Sequence, residues 1–436
     1  MYQGRGMYKY SLNTTLFLLL LAFVSCKTQK ASIKSERTEK TSDLSTMASS
    51  VPREILGILN GRQTFRIPGS EVTIELSRYQ PKLGGFIGSA PHNTAAISFQ
   101  PHDPNPMDTD DTKDSVLAWL GDNSMMLYAL TLDSYKITSE SMSKNIFKNI
   151  LDSRVRGSVP GEFQDGRILS LKSLQKESVD PKSLELKSPK IYYFHRECGP
   201  STDAKPMIGV VKYAADKNDL KKLGLAQLED IDSMILHQHT NFIAGKEHRT
   251  CLSGPEQGKP QHDYRKASSL AFHLMNTTEL YRMKPHRIGL VRKTFEKLQT
   301  LKKGEAYGPE GSLGQSIVLY SLKRASDVVA GDIGNKIRTA YKALYAELAA
   351  EVAIDGDTQV MGWFLLATTD TVDKTTLQII QNLKNNRVCV DGGGFSFLGK
   401  AGKQGMGPVE DMAMGLAAIG NLRSLNLYSD DETVCQ

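Results

Sequence analysis

The chain has 436 residues, of which 40% are hydrophobic and 23% are charged, and its formal net charge is +6. This composition is ordinary for a soluble globular protein, and the length is enough for two or three domains with hydrophobic cores. Five cysteines, at positions 26, 198, 251, 389 and 435, are too few and too scattered for a disulfide scaffold. They fit a reducing compartment and do not exclude an oxidising one.

The N-terminus carries an apolar run, Leu16 to Val24, that follows Arg5 and Lys9 and precedes Ser25-Cys26. A bilayer-spanning helix takes about 20 residues, so this run is too short to be one. The first 26 residues resemble a bacterial lipoprotein signal peptide. The resemblance implies cleavage before Cys26 and lipidation of that cysteine.

Two features leave a second interpretation of the N-terminus open. Phe23 stands where that signal pattern usually has leucine, and Met47 opens a plausible second initiation site, Met-Ala-Ser-Ser. Initiation at Met47 would make residues 1–26 a fortuitous leader. Residues 27–50 are rich in Lys, Ser, Thr and Glu, and they predict a disordered tether before a folded body that begins near Val51.

The first half of the folded body mixes helical and strand-like patterns. Alternating apolar residues and aromatic or β-branched content are typical of strands, whereas acidic residues before an apolar run are typical of a helix start. These patterns predict a helix over Ile55–Leu59, a strand over Val72–Leu76, a helix start over Asp108–Leu120, and strands over Ile191–Phe194 and Val210–Tyr213.

The second half is helical by its apolar spacing and alanine content. Helices are predicted in the segments that follow Leu220, over Ser268–Met283, Ile288–Leu301, Ile317–Ile354 and Asp411–Leu427, and two further apolar segments lie at Gly362–Leu366 and Thr376–Leu383. We therefore predict a mainly α fold with a smaller mixed α+β N-terminal region and a two-lobed helical architecture. The predicted domains are a mixed α+β domain over 51–215 and a mainly helical domain with a basic face over 216–430.

Positive charge is concentrated in one segment of the second half. Residues 282–303 hold eight Lys and Arg against one acid, Glu296, so this stretch carries +7 while the whole chain carries +6. Ile288, Val291, Phe295 and Leu298 form an apolar stripe that leaves a basic face for solvent. The predicted nucleic-acid-binding residues are Arg282, Lys284, Arg287, Arg292, Lys293, Lys297, Lys302 and Lys303, extended by Lys323, Arg324, Lys336 and Arg338.

Tyr320, Tyr341 and Tyr345 lie among the later cations and are predicted to stack on bases. No base-reading motif accompanies them, so binding would tolerate any sequence. The alternative is an ordinary solvated helix face, which is what most charge runs are.

Two His-x-x-Cys pairs are candidate zinc ligands, although the 49-residue gap between them favours coincidence: His195 with Cys198, and His248 with Cys251. No other cofactor is predicted. A zinc-dependent enzyme using His237, His239 and Cys251 is a third-ranked hypothesis. The glycine-rich stretch Asp391 to Gly407 matches neither a Walker loop nor a dinucleotide fingerprint, and a loop is the simpler interpretation.

No catalytic motif of comparable weight is present, so the sequence favours a non-enzymatic protein. The basic helical half gives it a general resemblance to viral nucleocapsid or coat proteins. This resemblance implies binding of single-stranded RNA or another polyanion, self-assembly into a homo-oligomer, and a place in the virion or host cytoplasm if translation starts near Met47. The alternative is an exported lipoprotein of unknown role, whose membrane contact is the lipid on Cys26.

Overall fold

The computed structural model describes residues 51–88, 98–99, 115–154, 163–195, 200–244, 266–400, 409–429 and 435. The chain divides into two units, Met1–Val51 and Pro52–Gln436, and the helices and strands described lie in the second. Helices make up 61% of its described residues, with a few small sheets. The predicted mainly α fold with some α+β character is confirmed.

The unit begins with a helix and a β-hairpin. Helix α1 (Arg53–Asn60) includes the predicted Ile55–Leu59 and is capped by Gly61, and strands β1 (Arg62–Arg66) and β2 (Thr73–Ser77) pair antiparallel. In β2, Ile74 and Leu76 are buried while their neighbours are exposed or half-buried, which is the alternation that predicted this strand. Two short strands follow, β3 (Tyr79–Gln80) and β4 (Gly85–Phe86), and they also pair antiparallel.

A four-stranded antiparallel sheet comes next, in the order β5 (Ser98–Phe99), β8 (Tyr192–His195), β7 (Gly166–Ser170) and β6 (Ser115–Trp119). Strand β8 was predicted, but β6 falls where the sequence predicted the start of a helix. Val116, Leu117 and Ala118 are all buried. A short apolar run that is buried on both faces cannot be assigned to strand or helix by its spacing, which explains the error.

Six helices form a closed ring. Each packs against the next along the chain, and the last packs against the first. In order they are α2 (Leu120–Leu130), α4 (Pro200–Asp219), α6 (Ala267–Met283), α8 (Ser312–Val328), α10 (Thr358–Leu366) and α12 (Val409–Ser424). Between them in sequence lie α3 (Glu140–Asp152), α5 (Leu225–Ala244), α7 (Ile288–Gln299), α9 (Gly331–Asp355) and α11 (Lys374–Asn385), each of which packs on a ring helix.

The six ring helices all point in the same direction. One helix separates each ring helix from the next, so the ring helices run parallel, with their N-termini at one end and their C-termini at the other. The ring helices are buried almost all round, and all but one residue of α12 between Val409 and Gly420 is buried. Helix α7 buries only one stripe, formed by Val291, Thr294, Phe295 and Leu298. All-round burial is expected of ring helices and a single stripe of helices outside them.

Glycine permits the tightest contacts in the ring. A Cβ atom at Gly209 of α4 would lie 2.2 Å from the backbone oxygen of Ser124 in α2. A Cβ at Gly362 of α10 would lie 2.7 Å from the Cβ of Met414 in α12. Both distances are shorter than atoms tolerate, so these helix pairs could not approach as closely with any other residue.

One further expectation needs correction. Val210–Tyr213 lies inside α4, because burial within the ring overrides the weak strand preference of two adjacent valines. The ring also joins α2, from the first predicted domain, to helices of the second. Cys389 and Cys435 form a disulfide.

The predicted domain boundary after residue 215 falls within α4. The division into 51–215 and 216–430 stays a prediction. Among the described residues, the structure contains no helix with the length and apolar content that a membrane crossing requires.

Candidate functional site: the amino-terminal cavity of the helix ring

Half of the predicted nucleic-acid-binding residues make ion pairs within the fold. Arg282 contacts Asp216, Asp219 and Glu279, and Lys284 and Arg287 share the buried Asp232 at 2.7 Å each. The remaining paired cations are Lys302 with Glu305, Lys323 with Asp327, and Arg324 with Glu279. Their charge is therefore balanced by neighbouring carboxylates.

The other predicted cations lie at the surface. Arg292, Lys293, Lys303 and Lys336 are exposed, Lys297 is half-buried, and none of the five has a carboxylate partner in the described part of the chain. Arg338 is exposed and donates to the Asn335 side chain at 3.1 Å and to the Ser326 backbone oxygen at 3.2 Å. Nucleic-acid binding by these residues stays a prediction.

The three tyrosines predicted to stack on bases are turned inward. Tyr320 and Tyr341 are buried, and the Tyr341 hydroxyl donates to the backbone oxygen of Ala367 at 2.8 Å. The half-buried Tyr345 stacks on Phe364 with ring centroids 4.8 Å apart. That prediction was wrong, because aromatic rings on helices with buried faces contribute to the core before they serve a surface.

Most of the predicted zinc ligands lie outside the described residues, namely Cys198, His248 and Cys251. His195 ends strand β8. His239 is buried on α5, where its Nδ1 lies 3.1 Å from Nε2 of His273, and burial lowers its pKa to about 4. The described residues hold no group of three or more His, Cys, Asp or Glu side chains placed to bind a metal.

The first part of the glycine-rich stretch forms a turn. Gly392, Gly393 and Gly394 all have positive φ, and a Cβ at Gly394 would lie 2.3 Å from the backbone oxygen of Arg53 in α1. Lys400 pairs with Asp355 at 3.2 Å. The turn therefore packs directly against α1. Lys403 lies outside the described residues.

The candidate site is a cavity of about 360 Å³ where the N-terminal ends of the ring helices meet, which we call the amino-terminal cavity. Its lining residues come from all six ring helices and from strand β6 and the segment before β7. They are Trp119, Gly121, Asp122, Gln164, Asp165, Lys205, Pro206, Phe272, Leu313, Ile317, Gln359 and Glu410.

An ion triad forms one wall of this cavity. Nζ of Lys205 lies 2.9 Å from a Glu410 oxygen and 3.5 Å from an Asp122 oxygen. The three side chains are each about one-fifth exposed, at 20%, 20% and 21%. Asp122 lies in the first turn of α2 and Glu410 in the first turn of α12, where the positive end of a helix dipole favours a carboxylate.

Burial raises the pKa values of two carboxyl groups at or beside this wall. Burial, reinforced by Glu410, raises the pKa of Asp122 to about 6 despite Lys205. Burial also raises the pKa of Asp411 to about 6, even though Gln359 donates a hydrogen bond to it. Burial opposes the charged form of Lys205, but Glu410 and Asp122 outweigh it and raise the lysine pKa. Lys205 pairs more closely with Glu410, so Asp122 is the less compensated carboxyl.

Much of the remaining lining is apolar, and it includes one unsatisfied acceptor. Trp119, Phe272, Leu313 and Ile317 provide aromatic and aliphatic surface. The buried Oε1 of Gln164 has no hydrogen-bond donor in the described part of the chain. Carboxylate and amide oxygens thus outnumber the single ammonium group, and a ligand here would need to supply hydrogen-bond donors.

None of these residues was singled out by the sequence. Asp122 and Lys205 are 83 positions apart, and Glu410 is farther still, so no local spacing connects them. The available signal was an acidic residue just inside an apolar helix, which holds for both Asp122 and Glu410. That pattern also marks ordinary helix starts.

A second cleft, of about 660 Å³, lies at the other end of the ring, and we call it the carboxy-terminal cleft. Its cations are each paired: Lys212 with Asp216 at 2.5 Å, Lys323 with Asp327 at 2.6 Å, and Arg324 with Glu279 at 2.5 Å. The hydroxyls of Tyr128 and Tyr320 bond to each other. Burial raises both tyrosine pKa values, that of Tyr320 to about 12, so both phenols stay neutral.

The sequence matches no family model and none of the curated proteins with which it was compared. Among solved structures it is similar to a polysaccharide lyase, with 12% identity over 71% of this chain and 91% of that chain, and a TM-score of 0.44.

Proposed function

We propose that the protein binds a small molecule rich in hydrogen-bond donors, a sugar-sized polyol or amine, in the amino-terminal cavity. The observation that carries this proposal is that two carboxylates, Asp122 and Glu410, share a single cation, Lys205. A volume of about 360 Å³ lies within the usual range of small-molecule sites. The apolar wall suits the apolar face of a ring, while the carboxylates accept charge-assisted hydrogen bonds from its substituents.

Charge favours an amine over a neutral polyol. A cationic group beside Asp122 would favour the charged carboxylate and lower a pKa that now stands near 6. Aromatic rings such as Trp119 and Phe272 also attract cations over their faces. Ligand binding should therefore release protons near pH 6 and strengthen as the pH rises through that value.

Glucose and glucosamine provide a matched pair of probes, because they share a ring and differ by one ammonium group. We expect glucosamine to raise the melting temperature of the full chain and to bind at least about tenfold more tightly than glucose, the equivalent of ~1.4 kcal/mol. Asp122→Asn keeps the shape and removes the charge, so it should reduce that preference severalfold. Titration calorimetry at pH 5 and pH 8 measures both quantities.

Asp332→Asn on α9 is the matched control, because Asp332 is exposed and does not line the cavity. If neither sugar nor a simple diamine stabilises the protein, or if Asp122→Asn and Asp332→Asn behave alike, the cavity is not the binding site. The carboxylates would then serve only as helix-terminal charges.

A second candidate function is polyanion binding at the exposed face of α7, with RNA as the ligand and self-assembly as in nucleocapsid proteins. Arg292 and Lys293 support it, since both are exposed without a carboxylate partner in the described part of the chain. Reversing Arg292, Lys293 and Lys297 to Glu should weaken RNA binding and flatten its salt dependence. Unchanged RNA binding by this triple variant would remove the candidate.

We also propose that the protein is exported and carries a lipid on Cys26. The disulfide between Cys389 and Cys435 supports this, because structural disulfides persist in oxidising compartments. Mass spectrometry of the natural N-terminus tests it. A lipidated Cys26 is expected, whereas an acetylated Ala48 would show internal initiation and contradict export.

A further inference from the structure

The turns that follow α2 and α4, together with the first residue of α5, carry exposed apolar side chains. Ile137 is 85% exposed, Leu220 58% and Leu225 73%. Ile137 and Leu220 line one surface pocket of about 350 Å³, together with Leu130 and Tyr213. Clustered apolar exposure of this kind marks an interaction surface, whereas single exposed apolar residues need no explanation.

Two lysines stand between the leucines that follow α4. The sequence there is Leu220-Lys221-Lys222-Leu223-Gly224-Leu225, and both lysines are exposed without a carboxylate partner in the described part of the chain. A segment that presents apolar side chains beside free lysines matches the interface of a membrane. The leucines can enter the acyl boundary while the ammonium groups remain among anionic headgroups.

The backbone of this turn is strained where a lysine stands. Lys221 has a φ of 55°, a region that favours glycine. Its N–H donates to the oxygen of Asn218 at 2.8 Å, and the N–H of Lys222 donates to the oxygen of Lys217 at 2.7 Å, which is the hydrogen-bond pattern of a Schellman motif. Glycine is usual at the position of Lys221, so stability does not account for the lysine, whereas a surface contact would.

We propose that these two turns form a docking face for a membrane surface that bears anionic headgroups. The face consists of Ile137, Leu220, Lys221, Lys222 and Leu225. Both turns follow the C-terminal ends of ring helices, so a docked protein turns its amino-terminal cavity away from the bilayer and towards solution. The face is independent of which ligand the cavity binds.

The test uses the full chain with Cys26→Ser, which removes the acyl anchor while leaving the same N-terminus in every variant. Co-sedimentation is measured with phosphatidylcholine vesicles, with and without phosphatidylglycerol. We expect stronger binding to the anionic vesicles. Leu220→Ser with Leu225→Ser should reduce partitioning at least about tenfold, because each leucine loses its apolar burial. Leu377→Ser is the matched control, an exposed leucine of α11.

Lys221→Gly with Lys222→Ser separates binding from folding. Glycine relieves the strained φ, so this variant should melt at a higher temperature than the parent and yet lose about tenfold in binding to anionic vesicles. Three results would overturn the proposal: equal binding by the parent and both patch variants, equal binding to neutral and anionic vesicles, or a concentration-dependent oligomer that the leucine variant abolishes. The last would identify a second copy of this chain as the occupant.

Discussion

The two ends of the helix ring balance charge differently. At the carboxy-terminal cleft, Lys212, Lys323 and Arg324 each have a carboxylate within 2.6 Å, and the remaining polar groups include neutral phenols. At the amino-terminal cavity one ammonium serves Asp122 and Glu410, and the pKa of Asp122 rises to about 6. At the amino-terminal end, Asp122 and Glu410 lie in the first turns of their helices, where the dipole favours a carboxylate, and the two share one cation that a ligand could supplement.

The largest expected effect comes from removing the ammonium at the amino-terminal cavity. Lys205→Met leaves Asp122 and Glu410 without a counter-charge in a confined site, and we expect it to cost ~3–5 kcal/mol of unfolding free energy. Urea denaturation at pH 7 measures this. Lys342→Met, at an exposed position of α9, should change stability by less than about 0.5 kcal/mol. A cost below about 1 kcal/mol for Lys205→Met would show that the helix N-termini alone satisfy the carboxylates.

At the carboxy-terminal cleft, Glu279 is the carboxylate that neutralises two arginines. It is buried and contacts Arg324 at 2.5 Å and Arg282 at 2.8 Å. Glu279→Gln should cost ~2–4 kcal/mol, somewhat less than Lys205→Met, because Arg282 keeps Asp216 as a partner. Glu351→Gln, on the exposed face of α9, is the matched control in the same denaturation experiment. Equal stability of the two variants would mean that the arginines find other partners.

The sequence could predict features that depend on local patterns, but not contacts between segments that are distant in the chain. Helices such as α7 followed from the spacing of Val291, Phe295 and Leu298, since that spacing is local. The ring could not be predicted, because its closure between α2 and α12 joins segments that are far apart in the chain. Likewise, the charge of Arg282 to Arg287 was visible, but the carboxylates that balance it lie on α4, α5 and α6. A run of basic residues in the sequence does not show which acidic residues will pack against it in the fold.

The pH dependence of stability sharpens the comparison. The pKa of Asp122 is about 4 in an unfolded chain and about 6 in the fold, so the folded state binds more protons between these values. Its contribution is fully present below about pH 4 and is lost as the pH rises through 6. Asp122→Asn should remove ~1–3 kcal/mol of this decline, measured as the difference between urea curves at pH 4 and pH 7.

The variant is compared with its parent at each pH because other groups titrate in the opposite direction. Burial lowers the pKa of His239 to about 4, so its contribution is present above about pH 6.5 and is lost as the pH falls through 4. That term is common to both proteins and cancels in the comparison. Parallel pH profiles for the parent and Asp122→Asn would contradict the surplus of charge at the amino-terminal cavity.

The smallest effect is expected at the rim of the carboxy-terminal cleft. Lys323 and Asp327 are four residues apart on α8 and pair at 2.6 Å, with the aspartate side chain 45% exposed. Solvent screens such a pair, so Lys323→Met should cost only ~0.3–0.5 kcal/mol, and added salt should shrink that cost further. A cost comparable to that of Lys205→Met would mean that ion pairs at both ends of the ring carry similar energies. The two ends would then not differ in charge balance, because the loss of one cation should destabilise the fold strongly only where carboxylates outnumber cations.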